Sequence, residues 1–400
     1  MRPSLLEGPF VCCAMKKTYA VLGAGMQGTA AAYDLAKFAD AERILLGDAC
    51  LEIAQRSAHR VNGLSGPDLC VPAQVDALDP EALGEFLRGV DVVLSCVPYW
   101  MHPRIAKVAI HHEVSMVDLG GNTDITLETL EMDGAAQSAG VTVVPDTGLA
   151  PGLVNSLGLY CIEHLDEVES VKMYCGVLPQ HPKPPFNYKL TFNVEGLVTE
   201  YDYEAVVVRD HQIAKVDTLS ELETLEIEQL GTMEAFTTSG GTSTAPYTLK
   251  DKVKNYEYKT IRFPGHCEKM RLYKDFGLWR EEKIEVKGCK VAPKDVFCAV
   301  FGPELDKFVD DDQCAVRAVG VGKKDGQERR LQIDIFDKQD HATGFTSMER
   351  LTGFSMSIYA IDIAHGKMPS GCLRYENAMT GARFVKEIQR RGVELKFKGF

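Results

Sequence analysis

The strongest constraint on the fold lies between residues 17 and 48, where an apolar run leads into a glycine-rich turn and then a helical segment. The turn from Gly23 to Gly28 has the sequence GAGMQG, and a second apolar run ends at Asp48, twenty positions (48 minus 28) after the last glycine. Strand, glycine turn, helix and a second strand ending in an acid at this spacing are typical of a dinucleotide-binding βαβ unit. The alternative interpretation is a plain glycine-rich turn.

Each glycine of this turn has a separate physical role. Gly23 permits a tight turn, Gly25 lets a pyrophosphate approach backbone N–H groups, and Gly28 lets the helix pack close to the strand. The helix N-terminus adds a partial positive charge. Asp48 is expected to accept hydrogen bonds from the ribose hydroxyls of NAD and to repel the 2′-phosphate of NADP, so the expected cofactor is NAD.

The alternation of apolar runs and helical segments continues to about residue 146 and predicts a complete doubly wound parallel sheet of the Rossmann type. Further strands are predicted over 71–77, 91–98, 115–119 and 141–146, with helices over 51–61, 80–87, 103–111 and 126–139. Ligands of such sheets bind at the carboxyl ends of the strands. The expected cofactor-binding residues are therefore Gly23, Gly25, Met26, Gln27, Gly28, Asp48, Asp76, Ala77, Ser95, Cys96, Val97, Pro98, Gly120 and Asn122.

From residue 168 the sequence becomes rich in β-branched and aromatic residues and predicts a second α+β domain with a mixed, largely antiparallel sheet. Its predicted strands cover 168–177, 188–194, 198–203, 205–213, 256–263 and 331–337, its helices 222–231, 266–276 and 293–308, and its hairpin turns 209–212 and 320–327. An amphipathic helix over 345–364 is expected to pack back on the first domain, before a last helix over 378–391.

The expected organisation is a nucleotide-binding domain over 15–150, a substrate-binding and dimerisation domain over 151–340, and C-terminal helices over 341–400. A chain of 400 residues exceeds what one hydrophobic core usually supports. The apolar stretch of the N-terminal residues is broken by Glu7, Gly8 and Pro9, which makes it a poor secretory signal. Met15-Lys16-Lys17 lies directly before the first predicted strand, so residues 1–14 are expected to be a dispensable extension.

Composition excludes several classes of function. The net charge of −13 argues against a nucleic-acid partner, and no apolar run approaches the roughly 18 residues of a membrane span. The twelve cysteines include no CxxC pair, which indicates reduced thiols and a cytoplasmic location. The sequence His111-His112-Glu113 lacks the spacing of a zinc helix, so no metal site is expected.

Eight motifs, taken together and in this order, resemble the saccharopine dehydrogenase family. They are GAGMQG (23–28), SCVPYWMH (95–102), DLGGN (118–122), PDTGLAPG (145–152), YCGVLP (174–179), YKLTFNVEGL (188–197), TSGGTST (238–244) and YKTIRFPGHCE (258–268). The similarity extends over about 17–365 and is greatest to the branch that contains lysine 6-dehydrogenases.

The resemblance implies a Rossmann domain, a second domain that binds an amino-acid substrate and makes homodimer contacts, and NAD(P)-dependent oxidation of a C–N bond. In one reading the substrate is L-lysine, which gives aminoadipate semialdehyde and ammonia. In the second reading it is saccharopine, a secondary amine. A third possibility is a non-catalytic nucleotide-binding regulator on the same scaffold, because fold does not fix function.

Charge near the substrate motif favours an amine-rich substrate. Saccharopine has three carboxylates and needs several fixed cations, whereas lysine has one carboxylate. Residues 190–208 contain no Lys or Arg, and their charged residues are all acidic: Glu195, Glu200, Asp202 and Glu204. Lys183, Lys189, Arg209 and Arg262 lie close in sequence, so the saccharopine reading stays open.

Hydride transfer from an amine requires a neutral nitrogen, so a base must first take a proton from the ammonium group. The predicted catalytic residues are Asp146, His102 and Glu195, and Asp118 and His266 are further candidates for the base. Each has a structural alternative: His102 could simply begin a helix, and Asp146 could be an Asx-turn residue. The predicted substrate-binding residues are Tyr99, Arg262, His266 and Glu200. Cys96 is expected to be a packing residue beside the nicotinamide.

Overall fold

The first large sheet is parallel and has the strand order β6-β5-β4-β1-β2-β3. A computed structural model describes residues 16–400, so the predicted extension over 1–14 lies outside the described residues. The strands are β1 Lys17–Leu22, β2 Ala41–Asp48, β3 Cys70–Gln74, β4 Val92–Ser95, β5 Ser115–Asp118 and β6 Thr142–Val144. The helices are α1 Met26–Phe38, α2 Leu51–Ser65, α3 Pro80–Phe86, α4 His102–His111, α5 Thr123–Leu130 and α6 Asp133–Ala139. This order confirms the predicted Rossmann-type sheet.

The second large sheet is mixed and follows helix α7, Val154–Glu163. Its elements are β7 Glu167–Pro179, α8 Val194–Asp202, β8 Ala205–Arg209, β9 Gln212–Val216, β10 Glu223–Ile227, β11 Gly231–Thr237, α9 Ala245–Leu249, β12 Val253–Arg262, α10 His266–Asp275, β13 Ile284–Val286, β14 Cys289–Val291, α11 Pro293–Asp306, β15 Asp312–Lys324 and β16 Gln327–Lys338. Strands β12 and β7 are parallel neighbours, and the other pairs in this sheet are antiparallel. Strands β13 and β14 form a separate small hairpin.

The C-terminal segment returns to both sheets. It contains α12 Ser347–Ala364, β17 Gly371–Cys372, α13 Tyr375–Ala378, α14 Gly381–Arg390 and β18 Leu395–Lys398. Strand β17 extends the first sheet beside β6, while β18 pairs with β16 at the edge of the second sheet. Helix α12 packs on α1, as the predicted return to the first domain required.

Both predicted hairpins of the second sheet are confirmed: Arg209 pairs with Gln212, and Lys324 pairs with Gln327. The strands predicted over 188–194 and 198–203 are wrong: residues 188–193 form no helix or strand, and residues 194–202 form helix α8. Asn193 starts this helix by accepting a hydrogen bond from the N–H of Gly196. The helix faces a separate apolar cluster with Leu197 and Tyr201.

Three further predictions need correction. The helix predicted over 222–231 is the hairpin β10–β11, in which Leu225 and Ile227 alternate with polar residues and Gly231 adopts φ +75°. The helix predicted over 126–139 is divided in two at Asp133, whose carboxylate accepts the N–H of Cys372. Helix α12 is not amphipathic, because almost all of its length from Leu351 is buried between other elements.

None of the helices formed by residues 16–400 is long and apolar enough to cross a membrane.

Candidate active site

The glycine turn between β1 and α1 leaves room where a dinucleotide phosphate is expected. A Cβ on Gly23, which has φ +89°, would lie 2.6 Å from the carbonyl oxygen of Cys96, and one on Gly28 would lie 1.9 Å from the carbonyl oxygen of Gly23. A Cβ on Gly25 would meet no atom within 4 Å. The N-terminus of the thirteen-residue helix α1, which starts at Met26 and Gln27, therefore has open space in front of it. These residues fit a nicotinamide dinucleotide.

Asp48 closes one side of this turn. Its carboxylate accepts the backbone N–H of Ala24 at 2.9 Å and that of Cys50 at 3.0 Å. The backbone then runs on to Asp76 and Ala77, which follow β3 at the same edge of the sheet; the carboxylate of Asp76 accepts the N–H of Leu78. Asp48, Asp76 and Ala77 thus lie on the same edge of the sheet as the glycine turn.

The end of β4 carries two contacts that fix its side chains. The hydroxyl of Ser95 and Nδ1 of His102 are 3.0 Å apart, and Nε2 of His102 is buried without a hydrogen-bond partner among residues 16–400. Burial lowers the pKa of His102, against a smaller opposite effect of the charge on Asp118. Cys96 packs 3.6 Å from the sulfur of Met356, and burial raises the pKa of its thiol, which agrees with a packing role.

Two carboxylates meet where β5 and β6 end. Oδ1 of Asp118 accepts the N–H of Gly120 at 2.8 Å and that of Asp146 at 2.9 Å. Asp146 has φ +66° and is almost completely buried. A Cβ on Gly120 would lie 2.1 Å from Oδ1 of Asp146, so only glycine leaves room for this carboxylate.

The environment of Asp146 raises its pKa to about 7, chiefly because it is buried and secondly because of the charge on Asp118. The hydroxyl of Ser243, from the loop after β11, donates a hydrogen bond to Oδ2 of Asp146 and opposes this shift. A buried carboxylate that can gain or lose a proton near neutral pH, at the carboxyl edge of the sheet, is suited to general base chemistry.

A second cluster of polar groups lies on the second domain. The hydroxyl of Thr260 donates to Oε1 of Glu200 at 2.7 Å, and Nη2 of Arg262 lies 3.8 Å from the same oxygen. Nε of Arg262 donates to the hydroxyl of Tyr201 at 2.9 Å, and Nε2 of His266 lies 3.1 Å from that hydroxyl. Three predicted substrate-binding residues, Glu200, Arg262 and His266, are therefore brought together.

His266 is buried behind Tyr201, and its two ring nitrogens face the Tyr201 hydroxyl and, at 3.5 Å, the carbonyl oxygen of Phe186. Burial, followed by the charge on Arg262, lowers the pKa of His266 to about 3. The imidazole is therefore neutral near pH 7, and its contribution to the cluster is the contact with the Tyr201 hydroxyl.

The remaining predicted site residues are spread around this region. Tyr99 is half-buried in a short 3-10 turn against Gly121, and the Asn122 side chain caps α5 by accepting the N–H groups of Asp124 and Ile125. Glu195 is exposed on the first turn of α8 and joins neither group of contacts.

Sequence reasoning did not single out Ser243, Tyr201 or Thr260. All three lie in or beside motifs of the family resemblance: Ser243 in TSGGTST, Thr260 in YKTIRFPGHCE, and Tyr201 four residues after YKLTFNVEGL. The available signal was the density of hydroxyl groups in those motifs. Among residues 16–400, no group of three or more His, Cys, Asp or Glu side chains is placed to hold a metal ion.

Two family models match nearly the whole described chain. The model described as Saccharopine dehydrogenase NADP binding domain matches residues 19–144, and that described as Saccharopine dehydrogenase C-terminal domain matches residues 148–393. A solved structure of apo histidine-tagged saccharopine dehydrogenase (L-Glu forming) from Saccharomyces cerevisiae has the same fold, with a TM-score of 0.77, 20% identity, and coverage of 96% of this chain and 100% of the other.

Three curated relatives are similar in sequence. Saccharopine dehydrogenase (NADP(+), L-glutamate-forming) of Saccharomyces cerevisiae is 25% identical over 60% of this chain and 55% of its own length. The mitochondrial alpha-aminoadipic semialdehyde synthase of Mus musculus is 25% identical over 76% of this chain and 33% of its own. Carboxynorspermidine synthase of Vibrio alginolyticus is 22% identical over 86% and 88% of the two chains. The chain thus spans about half of the yeast protein and a third of the mouse protein.

Proposed function

This chain belongs to the saccharopine dehydrogenase family, and on that premise we propose that it is an oxidoreductase that oxidises a C–N bond of an amino acid with a nicotinamide dinucleotide. In its most specific form, the substrate is L-lysine and the cofactor is NAD. The side-chain ammonium group loses a proton, the ε-carbon loses a hydride, and hydrolysis of the resulting iminium gives aminoadipate semialdehyde and ammonia.

The observation that carries the choice of substrate is the pairing of Arg262 with Glu200. A guanidinium beside a carboxylate, with Nη2 and Oε1 3.8 Å apart, matches the carboxylate and ammonium groups of one α-amino-acid head. The other three cations that lie close to this motif in the sequence contact different groups: Lys189 contacts the carbonyl oxygen of Asp310, Lys183 the ring of Phe308, and Arg209 the carboxylates of Glu221 and Glu257. One such pair suits lysine better than saccharopine, which has three carboxylates.

Asp146 is the best-placed group to take the proton of the substrate ammonium. Its carboxylate lies at the edge of the first sheet and is contacted by the second domain through Ser243. With a pKa of about 7, it is partly ionised at neutral pH and can hold the proton after transfer. The dinucleotide, when bound, supplies the hydride acceptor. Burial of Asp146 and Ser243 keeps bulk water from this carboxylate.

His102 is the second candidate for the base, because its buried Nε2 has no partner among residues 16–400. The two candidates differ in pH dependence. With Asp146 as base, kcat/KM for oxidation falls as pH drops through about 7. With His102 as base, the fall comes below pH 6.5, because burial lowers its pKa from that value. Asp146→Asn and His102→Gln variants identify which group gives the observed limb.

NAD rather than NADP is proposed from Asp48, whose negative charge at the glycine turn disfavours a 2′-phosphate. NADP is the alternative, because the matching family model is described as NADP binding and the yeast relative is named for NADP(+). Equilibrium titration with both dinucleotides decides between them.

The function is tested by the absorbance of reduced nicotinamide when the protein is given a dinucleotide with L-lysine or with saccharopine. We expect turnover of L-lysine, and an approximately tenfold or greater loss in kcat/KM when Glu200→Gln removes the charge that faces its ammonium group. Glu204→Gln is the matched control, since Glu204 is exposed and pairs with Lys215. If only saccharopine is turned over, saccharopine replaces L-lysine as the proposed substrate.

If the protein binds a dinucleotide but oxidises neither compound, the regulator hypothesis replaces the enzymatic ones. The match to carboxynorspermidine synthase over most of both chains makes carboxynorspermidine a further compound to include. Homodimer formation and a cytoplasmic location remain predictions.

A further inference from the structure

The contact between Asp146 and Ser243 joins the two sheets at a strained point. Asp146 follows β6 of the first sheet, and Ser243 lies in the loop after β11 of the second. Both residues have positive φ, +66° and +41°, a region that non-glycine residues seldom adopt. Both are also almost completely buried. Unusual backbone angles on both sides of one hydrogen bond are typical of a functional constraint.

A single short segment near the C-terminus holds both partners of this contact. Strand β17 pairs with β6, directly before Asp146. In α13, the hydroxyl of Tyr375 donates to the carbonyl oxygen of Thr242 at 2.7 Å, and Glu376 accepts the hydroxyl of Thr244 at 2.8 Å. The residues on either side of Ser243 are therefore fixed by the same segment that extends the strand leading to Asp146.

We propose that Ser243 is a positioning residue, whose hydroxyl holds Oδ2 of Asp146 and so aims this carboxylate at the substrate amine. The inference rests on the proposed amine oxidation for its chemical purpose, but the contact itself is independent of it. Oδ1 of Asp146 lies beside Gly120, where the lack of a side chain leaves space. With one oxygen held by Ser243, the other oxygen is the one that accepts the proton.

The direction of the effect on Asp146 follows from the groups around its carboxylate. Asp118 on β5 and Glu376 on α13 are acids whose charges raise the pKa of Asp146, while the hydroxyls of Ser243 and Thr126 lower it. Tyr375, also on α13, faces the same carboxylate. Removing the Ser243 hydroxyl removes a donor to the charged form, so the pKa of Asp146 rises further.

The test compares Ser243→Ala with Ser243→Cys, which keeps a weaker donor on an unbranched Cβ at this positive φ. We expect kcat of Ser243→Ala to fall about tenfold with KM changed by less than about threefold, and the acid limb of the pH profile to move up by about one unit. Ser243→Cys should recover both in part, because its S–H group is a weak donor. The matched control is Ser357→Ala, because Ser357 also donates to a buried carboxylate, that of Asp34, outside the proposed site.

A readout without turnover separates this inference from the proposed function. The infrared band of the protonated Asp146 carboxyl, assigned by its loss in Asp146→Asn, is titrated in the full-length protein without substrate. We expect its midpoint to rise in Ser243→Ala and to stay unchanged in Ser357→Ala. An unchanged midpoint in Ser243→Ala overturns the positioning role whatever the activity. A shifted midpoint in a protein that oxidises no amine supports the contact and refutes the proposed function.

Discussion

Asp48 lies beside the glycine turn. One of its carboxylate oxygens accepts the N–H of Ala24, and the other accepts the N–H of Cys50. It therefore fixes the turn as a hydrogen-bond acceptor, and its second, proposed role is to place a negative charge beside the ribose of the dinucleotide. These roles are separable, because asparagine keeps one acceptor oxygen and removes the charge.

We expect Asp48→Asn to weaken binding of NAD by about tenfold, since one charge-assisted hydrogen bond is lost, and to strengthen binding of NADP relative to NAD. Fluorescence titration with both reduced dinucleotides measures the two dissociation constants. Asp79→Asn is the control, as Asp79 is exposed and its carboxylate caps helix α3 by accepting the N–H groups of Glu81 and Ala82. An unchanged ratio of the two constants in Asp48→Asn would refute the ribose role.

The raised pKa of Asp146 also makes a prediction about stability. The folded protein holds this proton up to about pH 7, whereas the ordinary value is 3.8. The contribution of Asp146 to stability is therefore fully present below pH 3.8 and is lost as pH rises through about 7. Asparagine resembles the protonated form at every pH.

Asp146→Asn should therefore unfold like the wild type near pH 4 and be more stable by about 1 to 4 kcal/mol at pH 8. Urea unfolding at both pH values measures the difference. The same variant should lose most of its amine oxidation, which is the exchange of stability for function that active sites show. A difference that does not change between the two pH values would show that folding does not raise the pKa of Asp146.

The structural roles of the residues in the glycine turn could be predicted from the sequence, because the constraint there acts between residues a few positions apart. The Ser243–Asp146 contact could not be predicted, because its partners are 97 positions apart. Nothing in the sequence shows which hydroxyl of the second domain contacts Asp146. The same holds for Tyr201, whose hydroxyl meets Arg262 only after α8 and β12 have packed.

At the scale of elements, the start of α12 shows how the second sheet is tied to a helix that packs on the first. Thr346 and Glu349 form a capping box at its N-terminus. Asp312, at the start of β15, is completely buried and accepts the N–H of Ser347, the N–H of Met348 and the hydroxyl of Ser347. The helix is thus capped twice, locally and from another element.

We expect Asp312→Ala to reduce the free energy of unfolding by about 3 kcal/mol, because three buried donors lose their acceptor. Thr346→Ala should cost about 1 kcal/mol, as an ordinary N-cap does. Denaturant unfolding of both variants measures the two values. Equal losses would mean that the cap from β15 adds nothing to the local one.

Strand and helix positions in the first sheet could be predicted because buried parallel strands are continuous apolar runs separated by helices. The same approach was wrong where local propensity and packing disagree. Residues 222–231 are rich in Leu and Glu, which favour helix. However, the apolar side chains of Leu225 and Ile227 are needed on one face of a sheet.

At the scale of the whole molecule, the positions of the last two strands, β17 and β18, could not be predicted from the sequence pattern. The two strands β17 and β18 are two and four residues long, and each joins a sheet formed much earlier in the chain. Their placement is decided by long-range pairing, so the sequence predicted the two sheets but not this connection between them.

A buried ion pair also connects the C-terminal segment to helix α1. Arg391, after α14, and Asp34, on α1, are both completely inaccessible in their side chains and lie 2.9 Å apart. Burial raises the pKa of Asp34, and the charge of Arg391 and the hydrogen bonds from Ser357 and Arg391 oppose this rise. Glu387 and Ser357 complete the contacts of the two charges.

Arg391→Met should therefore destabilise the protein by about 3 to 5 kcal/mol, because it leaves Asp34 buried without its cation. Arg390→Met is the matched control: Arg390 is the adjacent arginine, 56% exposed, and its pair with Glu387 should contribute less than about 1 kcal/mol. The double variant Asp34→Asn with Arg391→Met should recover much of the loss, since no unpaired charge remains. Denaturant unfolding of the three variants measures these differences. Equal losses for Arg391→Met and Arg390→Met would show that the Asp34–Arg391 pair does not hold the C-terminal segment against α1.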